Sequence, residues 1–350
     1  MTDPRESGTI IGVVGNDVPR QLLLAAGARP YRLTGSWDSD VDAETSDLLG
    51  AADAVTVRIL SELRAGGPHL DALIICNDDQ SHLRLFYALR ALNEDLPLHL
   101  LDMPGGRSAS ARRFAQRQYR ALVDFCAGVT GHRPDEESLT AAADDEEALG
   151  RALANLRRAR RADPPRCSGA RALQVYLNAS RLSPAAAVEA AEDARDGEPL
   201  PGVRVHVTGS SHPDPTVYRE IEDRGCTIVG EDHDTGDRAW LGEAVASGSL
   251  DEVIDGLVDA HFVRVPGSAG AFSAERAELT AGMAADAQAA VVVSLIRDLD
   301  EAPLWDLPDQ RAALDLDRMP LLTRTHIGPG EQLSAARELA TRSRETGARA

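Results

Sequence analysis

A run of acidic residues directly after a short apolar segment is the part of the sequence best suited to chemistry. Residues 226–229 are Cys-Thr-Ile-Val, and the charged residues that follow are Glu231, Asp232, His233, Asp234, Asp237 and Arg238. Carboxylates this close in sequence repel one another unless a cation, a shared proton, an arginine or water stabilises them. The run therefore indicates either a reactive site or a solvated acidic turn.

Two further acidic loops follow apolar runs, at residues 71–76 and 290–296. Their polar members are Asn77, Asp78, Asp79, Asp298 and Asp300. Carboxylate and imidazole groups suit magnesium, manganese, iron or zinc, and a hydrated metal could activate water or polarise a carbonyl. If the three loops converge, the candidates for such a metal site are Asp79, Asp234, Asp298 and Asp300. A polar cleft without a metal is the other interpretation.

Alternating strands and helices must position these loops. Short apolar runs predict strands at residues 10–14, 28–33, 71–76, 98–101, 203–207, 226–229, 290–296 and 319–322. Helical patterns lie between most of them, and this rhythm is typical of parallel sheets, in which every strand ends at the same edge. The sequence therefore predicts an α/β protein with two doubly wound parallel sheets and acidic loops at strand ends in both halves.

The repeated pattern also divides the chain into segments. We predict an N-terminal α/β domain at residues 1–125, a helical connector at 126–200, a C-terminal α/β domain at 201–328, and a C-terminal helix or tail at 329–350. The connector is alanine-rich and contains the helix-breaking sequence Asp163-Pro164-Pro165. It would join the two sheets as a mainly helical segment.

The composition narrows the classes of function. The net charge of the 350 residues is −19, which disfavours a nucleic-acid binder because such proteins neutralise phosphates with basic residues. No apolar run is long enough to span a bilayer, and the first residues lack the hydrophobic stretch of a signal peptide. The cysteines are scattered, at Cys76, Cys126, Cys167 and Cys226. Their spacing favours the cytoplasm and argues against a disulfide framework or a structural zinc.

Several stretches, taken in order, carry a family resemblance. They are residues 18–35, 71–75, 209–238, Arg276 and 305–322. In their order and spacing the chain resembles the beta-type subunit of the 2-hydroxyacyl-CoA dehydratases, relatives of the class I benzoyl-CoA reductases. The resemblance implies two flavodoxin-like (Rossmann-like) domains around a cleft, an acyl-CoA substrate and a homologous partner subunit in a heterodimer. It also implies an iron–sulfur cluster that passes one electron to the thioester.

The cluster is the point at which the sequence departs from the family. Its members place a cluster cysteine at the end of each of three strands, and the matching positions here are Asp79, Asp234 and residues 298–300. An iron–sulfur cluster needs several thiolates, and Cys76 is the only thiol close in sequence to any of these positions. We therefore expect no family-type cluster, and a divalent metal is left open as a cofactor.

These observations lead to one expected function and two alternatives. We expect a subunit of a 2-hydroxyacyl-CoA dehydratase-like system, a lyase, that binds an acyl-CoA-type ligand in the cleft. The catalytic candidates are Asp79, His233 and Asp234. The substrate-binding candidates are Ser36, Trp37, Asn77, Glu231, Arg238 and Ser268. The alternatives are a cluster-free assembly partner without catalysis, and an enzyme that uses the carboxylate-lined site with or without a metal.

Overall fold

Two parallel sheets form the framework of the protein. The computed structural model describes residues 8–37, 41–92, 95–246, 248–267, 269–316 and 318–347. These residues form two four-stranded sheets, each entirely parallel and flanked by helices. This confirms the prediction of an α/β protein with two flavodoxin-like (Rossmann-like) doubly wound parallel-sheet domains joined by a helical segment. Within the described residues, no helix combines the length and the apolar character needed to cross a membrane.

The two sheets have equivalent strand orders. The first comprises β1 (Thr9–Val14), β2 (Ala28–Arg32), β3 (Ala72–Cys76) and β4 (Leu98–Leu101), in the order β2-β1-β3-β4. The second comprises β5 (Val203–Gly209), β6 (Cys226–Glu231), β7 (Val291–Arg297) and β8 (Leu321–Ile327), in the order β6-β5-β7-β8. Strands β3 and β7 are buried along their whole length, which explains why β3 is apolar throughout and why β7 is apolar except at Ser294 and Arg297.

Helices cover the sheets and connect them. They are α1 (Arg20–Ala25), α2 (Ala43–Leu49), α3 (Ala54–Arg64), α4 (Gln80–Leu92), α5 (Ala109–Thr130), α6 (Glu136–Arg161), α7 (Gly169–Ala179), α8 (Pro184–Ala194), α9 (Thr216–Glu222), α10 (Leu250–Val263), α11 (Ser273–Asp286), α12 (Ala302–Leu316) and α13 (Gln332–Gly347). Asp53 caps α3, and Asp135 caps α6 through a capping box. The predicted boundary between residues 125 and 126 falls within α5, so helix α5 continues from the first predicted domain into the connector.

Hydrogen bonds between the β1–α1 region and the segment that follows β6 join the two halves. Gln21 of α1 exchanges two hydrogen bonds with the backbone of Val245, each 2.9 Å long. The Asn16 side chain accepts from the Trp240 N–H and donates to the Arg238 carbonyl, both at 3.0 Å. These bonds join residues 222 or 224 positions apart in the chain. They hold the loop after β1 against the segment that follows β6.

Candidate functional site

Strands of both sheets end at one cavity of about 470 Å³. Its lining includes residues 15–17 after β1, 77–79 after β3, 210–211 after β5, 232–235 after β6, and Arg297 and Asp300 at the end of β7. Ligands of open α/β sheets bind at this edge, and volumes of about 300–1,000 Å³ are usual for small-molecule sites. The cavity is therefore the candidate functional site.

The cavity brings together part of the set predicted from the sequence. The predicted residues that line it are Asn77, Asp79, His233, Asp234, Arg238 and Asp300. Those that lie elsewhere are Ser36, Trp37, Glu231 and Asp298, and Ser268 is outside the described residues. Trp37 is buried against His212, with ring centroids 4.9 Å apart, and Asp298 is exposed. The three acidic loops thus meet at one cavity, to which only some of their side chains contribute.

Two carboxylates of the acidic run that begins at the last residue of β6 belong to a buried ion network instead of the cavity wall. Glu231 accepts a hydrogen bond of 2.9 Å from the fully buried Arg160 of α6. Asp237 lies 3.8 Å from the same guanidinium. Burial alone would raise the pKa of Asp237, but Arg160, Arg157 and Arg161 outweigh it and lower that pKa to about 2. The network holds the backbone of the loop, so the run is not a solvated turn.

Asp234 links the second sheet to the first. Its carboxylate pairs with Arg32 at the end of β2, and Arg32 also donates to the Asp234 carbonyl at 2.7 Å. Burial would raise the pKa of Asp234, but the charge of Arg32 outweighs it, so that this pKa lies below its usual value. Asp234 is therefore an ionised carboxylate whose cation comes from the other half of the molecule.

His233 is a buried, neutral ring with protein partners on both nitrogens. Its Nε2 lies 2.7 Å from the Tyr218 hydroxyl, and its Nδ1 lies 3.0 Å from the Thr235 hydroxyl. Burial lowers the pKa of His233, so the ring is uncharged at neutral pH. These contacts suit a role in positioning Asp234 better than a role in direct proton transfer.

Sequence reasoning missed a charged pair at the start of α4. Asp78 accepts a hydrogen bond from the Asn16 N–H at 2.7 Å and lies 2.7 Å from Nδ1 of His82. Burial would lower the pKa of His82, but Asp78 outweighs it and raises that pKa to about 9. His82 is therefore a cation at neutral pH. The spacing of four residues between Asp78 and His82 was the signal that could have predicted this pair.

Sequence reasoning also missed Asp17. Burial and repulsion from Asp78 raise its pKa to about 7, although Arg264 opposes this rise. Its Oδ1 lies 3.8 Å from Nη1 of Arg264 and 3.8 Å from Nδ1 of His261. Asp17 therefore exchanges a proton near neutral pH. Its place just after β1, equivalent to that of Asp79 after β3, could have indicated it.

Asp79 and Asp300 also have protein partners. Asp79 accepts a hydrogen bond of 2.7 Å from the Ser81 N–H at the start of α4. Asp300 accepts one of 2.6 Å from the Ser210 hydroxyl and lies 3.2 Å from Nη2 of Arg297. Burial nevertheless raises the pKa of Asp300 to about 6. The carboxylates at the strand ends that match the family's cysteine positions are thus engaged by the protein itself.

The donor groups of the cavity do not suit an iron–sulfur cluster, which is held by several cysteine thiolates. Among the described residues, the polar lining consists of carboxylates, guanidinium groups, imidazoles, amides and hydroxyls, without a thiol. Cys76, at the end of β3, is fully buried, and burial raises the pKa of its thiol well above the usual value. Nor do any three His, Cys, Asp or Glu side chains of the described residues form a group that could hold a metal ion.

Comparison with known proteins finds a family match over most of the chain. The family model of the 2-hydroxyglutaryl-CoA dehydratase D-component matches residues 16–322, which include the loops of both sheets at the cavity. No curated protein matches the sequence. The family match confirms the resemblance seen in the sequence, because it extends over nearly the whole chain. The chain therefore belongs to the 2-hydroxyglutaryl-CoA dehydratase D-component family.

Proposed function

We propose that the chain is a subunit of a 2-hydroxyacyl-CoA dehydratase-like system that binds an acyl-CoA-type ligand in the cavity and has no cluster of its own. One observation carries the proposal. The cavity lies at the strand ends of both sheets, within the family match, yet carboxylates and arginines line it in place of thiols. The family supports the dehydratase system, and the donor groups support the absence of the cluster.

The pairing of the carboxylates supports a maintained site over a decayed one. Asp234 forms its ion pair with Arg32, 202 residues away, which requires both sheets to be in place. Such pairs give the wall fixed charges at defined positions. Carboxylates accept hydrogen bonds from the hydroxyl of a 2-hydroxyacyl group, and arginines bind phosphates. One wall can thus hold the acyl end of a thioester while another holds its phosphates.

The division of labour in the system follows from this site. Without a cluster, the chain would leave the electron-transfer step to a homologous partner subunit. Its own residues would bind the thioester, orient it and exclude water from the cavity. This is the role of a subunit in a heterodimer whose partner holds the redox group.

A second candidate function is proton transfer, and the opposite pKa shifts of two carboxyls in the cavity favour it. Burial and repulsion from Asp78 raise the pKa of Asp17 to about 7. At Asp234 burial is outweighed by Arg32, so its pKa is lowered. One carboxylic acid and one carboxylate in a shared cavity form a general acid–base pair. Asp17 would protonate a leaving hydroxyl, and Asp234 would accept a proton from the substrate.

Ligand binding and iron content of the protein purified without air test the proposal. We expect iron and acid-labile sulfide far below one cluster per chain, together with calorimetric binding of a 2-hydroxyacyl-CoA thioester. Ala302 lines the cavity at the start of α12, so Ala302→Trp should abolish this binding. Ala312 is exposed on the same helix and does not line the cavity, so Ala312→Trp is the matched control and should bind normally.

The outcomes separate the two candidates. A stoichiometric cluster, or binding that Ala302→Trp leaves intact, would refute the leading proposal. Dehydration of a hydroxyacyl thioester by the chain alone, without reductant or partner, would favour proton transfer. Loss of that turnover in Asp17→Asn would then assign the acid.

A further inference from the structure

Arg238 differs from most arginines of the cavity wall in its lack of a carboxylate partner. Those with a carboxylate close to the guanidinium include Arg32, Arg276 and Arg297. For Arg238, no carboxylate of the described residues lies within ion-pair distance, and its Nη2 donates to the Val265 carbonyl at 2.9 Å. Arg238 therefore brings a cation into the cavity wall that the protein does not neutralise directly.

At Arg238, repulsion from two nearby arginines exceeds the attraction by the nearest carboxylates. Burial lowers the pKa of Arg238, and repulsion from Arg264 and Arg276 lowers it further. Glu243 and Asp232 offset only part of this effect. Positive groups held together in a partly buried place attract an anion, because the low local dielectric strengthens the interaction.

Arg264 lines the same cavity as Arg238 and is held in a fixed orientation. Its guanidinium lies over the Trp240 ring, 4.3 Å from the centroid, and its Nη1 donates to the Asn16 carbonyl at 3.2 Å. Asp17 is 3.8 Å away, too far for a hydrogen bond. An arginine has five N–H donors in a planar fork, so a stacked guanidinium with one hydrogen bond keeps donors for a ligand.

We infer that Arg238 and Arg264 form an anion subsite, where residues 265–267 line the cavity, that takes a phosphate or diphosphate group. Guanidinium forks bind phosphate oxygens in pairs, and Arg276 adds positive charge nearby without being a direct ligand. The assignment of this group to a CoA thioester rests on the proposed function. The subsite itself does not, because inorganic pyrophosphate offers the same chemistry.

Equilibrium binding of inorganic pyrophosphate to the full chain at low ionic strength tests the subsite. Arg238→Gln should weaken binding on the order of tenfold or more, since it removes charge-assisted hydrogen bonds. At about pH 8, where Asp17 is ionised, Asp17→Asn should strengthen binding severalfold, because the Asp17 carboxylate competes with the ligand for Arg264. Arg311→Gln is the control, since Arg311 is exposed on α12 outside the cavity, and its binding should equal that of the wild type.

Arg238→Gln should weaken pyrophosphate binding and Asp17→Asn should strengthen it. Misfolding cannot explain both results, since a damaged fold would not bind more tightly. Equal pyrophosphate binding by Arg238→Gln and the wild type, or no gain in Asp17→Asn, would overturn the subsite. Binding of CoA but not of an acyl-pantetheine, which lacks the phosphates, would identify CoA as the source. Pyrophosphate binding without binding of any CoA thioester would support the subsite and refute the proposed function. If Arg238→Gln leaves thioester binding unchanged, the proposed function would be supported and the subsite refuted.

Discussion

Replacement of Asp17 by asparagine should make the stability of the protein less dependent on pH. In the folded chain, burial and repulsion from Asp78 raise the pKa of the Asp17 carboxyl from 3.8 to about 7. The unfolded chain releases the same proton near the lower value. Between the two values the folded state therefore binds more protons than the unfolded state, and stability must fall as pH rises through this window.

The size of the effect follows from the two pKa values. A rise from 3.8 to about 7 corresponds to ~4 kcal/mol over the whole window. Between about pH 5.5 and 8 the expected fall is ~2 kcal/mol, because it ends near pH 7. Asparagine has no proton to release, so Asp17→Asn lacks this fall. Relative to the wild type, the variant should gain ~2 kcal/mol of unfolding free energy over this interval.

Urea unfolding of both proteins at about pH 5.5 and 8 measures this gain. The change between the two pH values is compared, which removes any constant cost of the substitution. Asp251→Asn is the control, since Asp251 is an exposed carboxylate paired with Arg120 and such pairs contribute less than ~1 kcal/mol. If the free energies of unfolding of Asp17→Asn and the wild type differ by the same amount at both pH values, burial does not raise the pKa of Asp17.

Three further predictions concern a buried ion pair, a charged histidine and the replaced cysteines. Arg160→Met should lower the free energy of unfolding by ~3–5 kcal/mol, since it leaves Glu231 buried without its cation. Urea unfolding measures this loss, and a loss below ~1 kcal/mol would contradict the prediction. Burial would lower the pKa of His82, but Asp78 outweighs it and raises that pKa to about 9, so His82→Gln should reduce the fall in stability that the wild type shows as pH rises from 6.5 to about 9. The part of the fall that comes from Asp17 should remain, and denaturation curves at both ends of this window check it. Anaerobic reconstitution with iron and sulfide should give the visible absorbance of a cluster only in the variant in which cysteine replaces Asp79, Asp234 and Asp300. If the wild type binds as much iron and sulfide as this variant, the chain has not lost the ability to hold a cluster.

Apolar continuity made the strands predictable. The run at residues 71–76 predicts a strand that is observed as β3, and the run at 226–229 predicts the start of β6. A strand covered on both faces is mostly apolar, so a continuous apolar run predicts it without any knowledge of its neighbours. The parallel arrangement then places the loops after such strands at one edge.

The partners of the loop residues were not predictable in this way. Glu231 and Asp234 are three positions apart, yet one pairs with Arg160 of α6 and the other with Arg32 of β2. These partners lie 71 and 202 positions away in the chain, and the packing of helices and sheets decides which carboxylate meets which arginine. Charge spacing within a loop therefore predicts that acids gather, but not which of them face a ligand.

The distance in sequence between Arg32 and Asp234 also sets an order of events during synthesis. All strands of the first sheet precede residue 102, so this sheet can form while the rest of the chain is still on the ribosome. The ion pair between Arg32 and Asp234 can form only after Asp234, 202 residues later in the chain, has left the ribosome. The cavity is consequently completed late, and a ligand that binds there stabilises the finished molecule without stabilising its nascent intermediates.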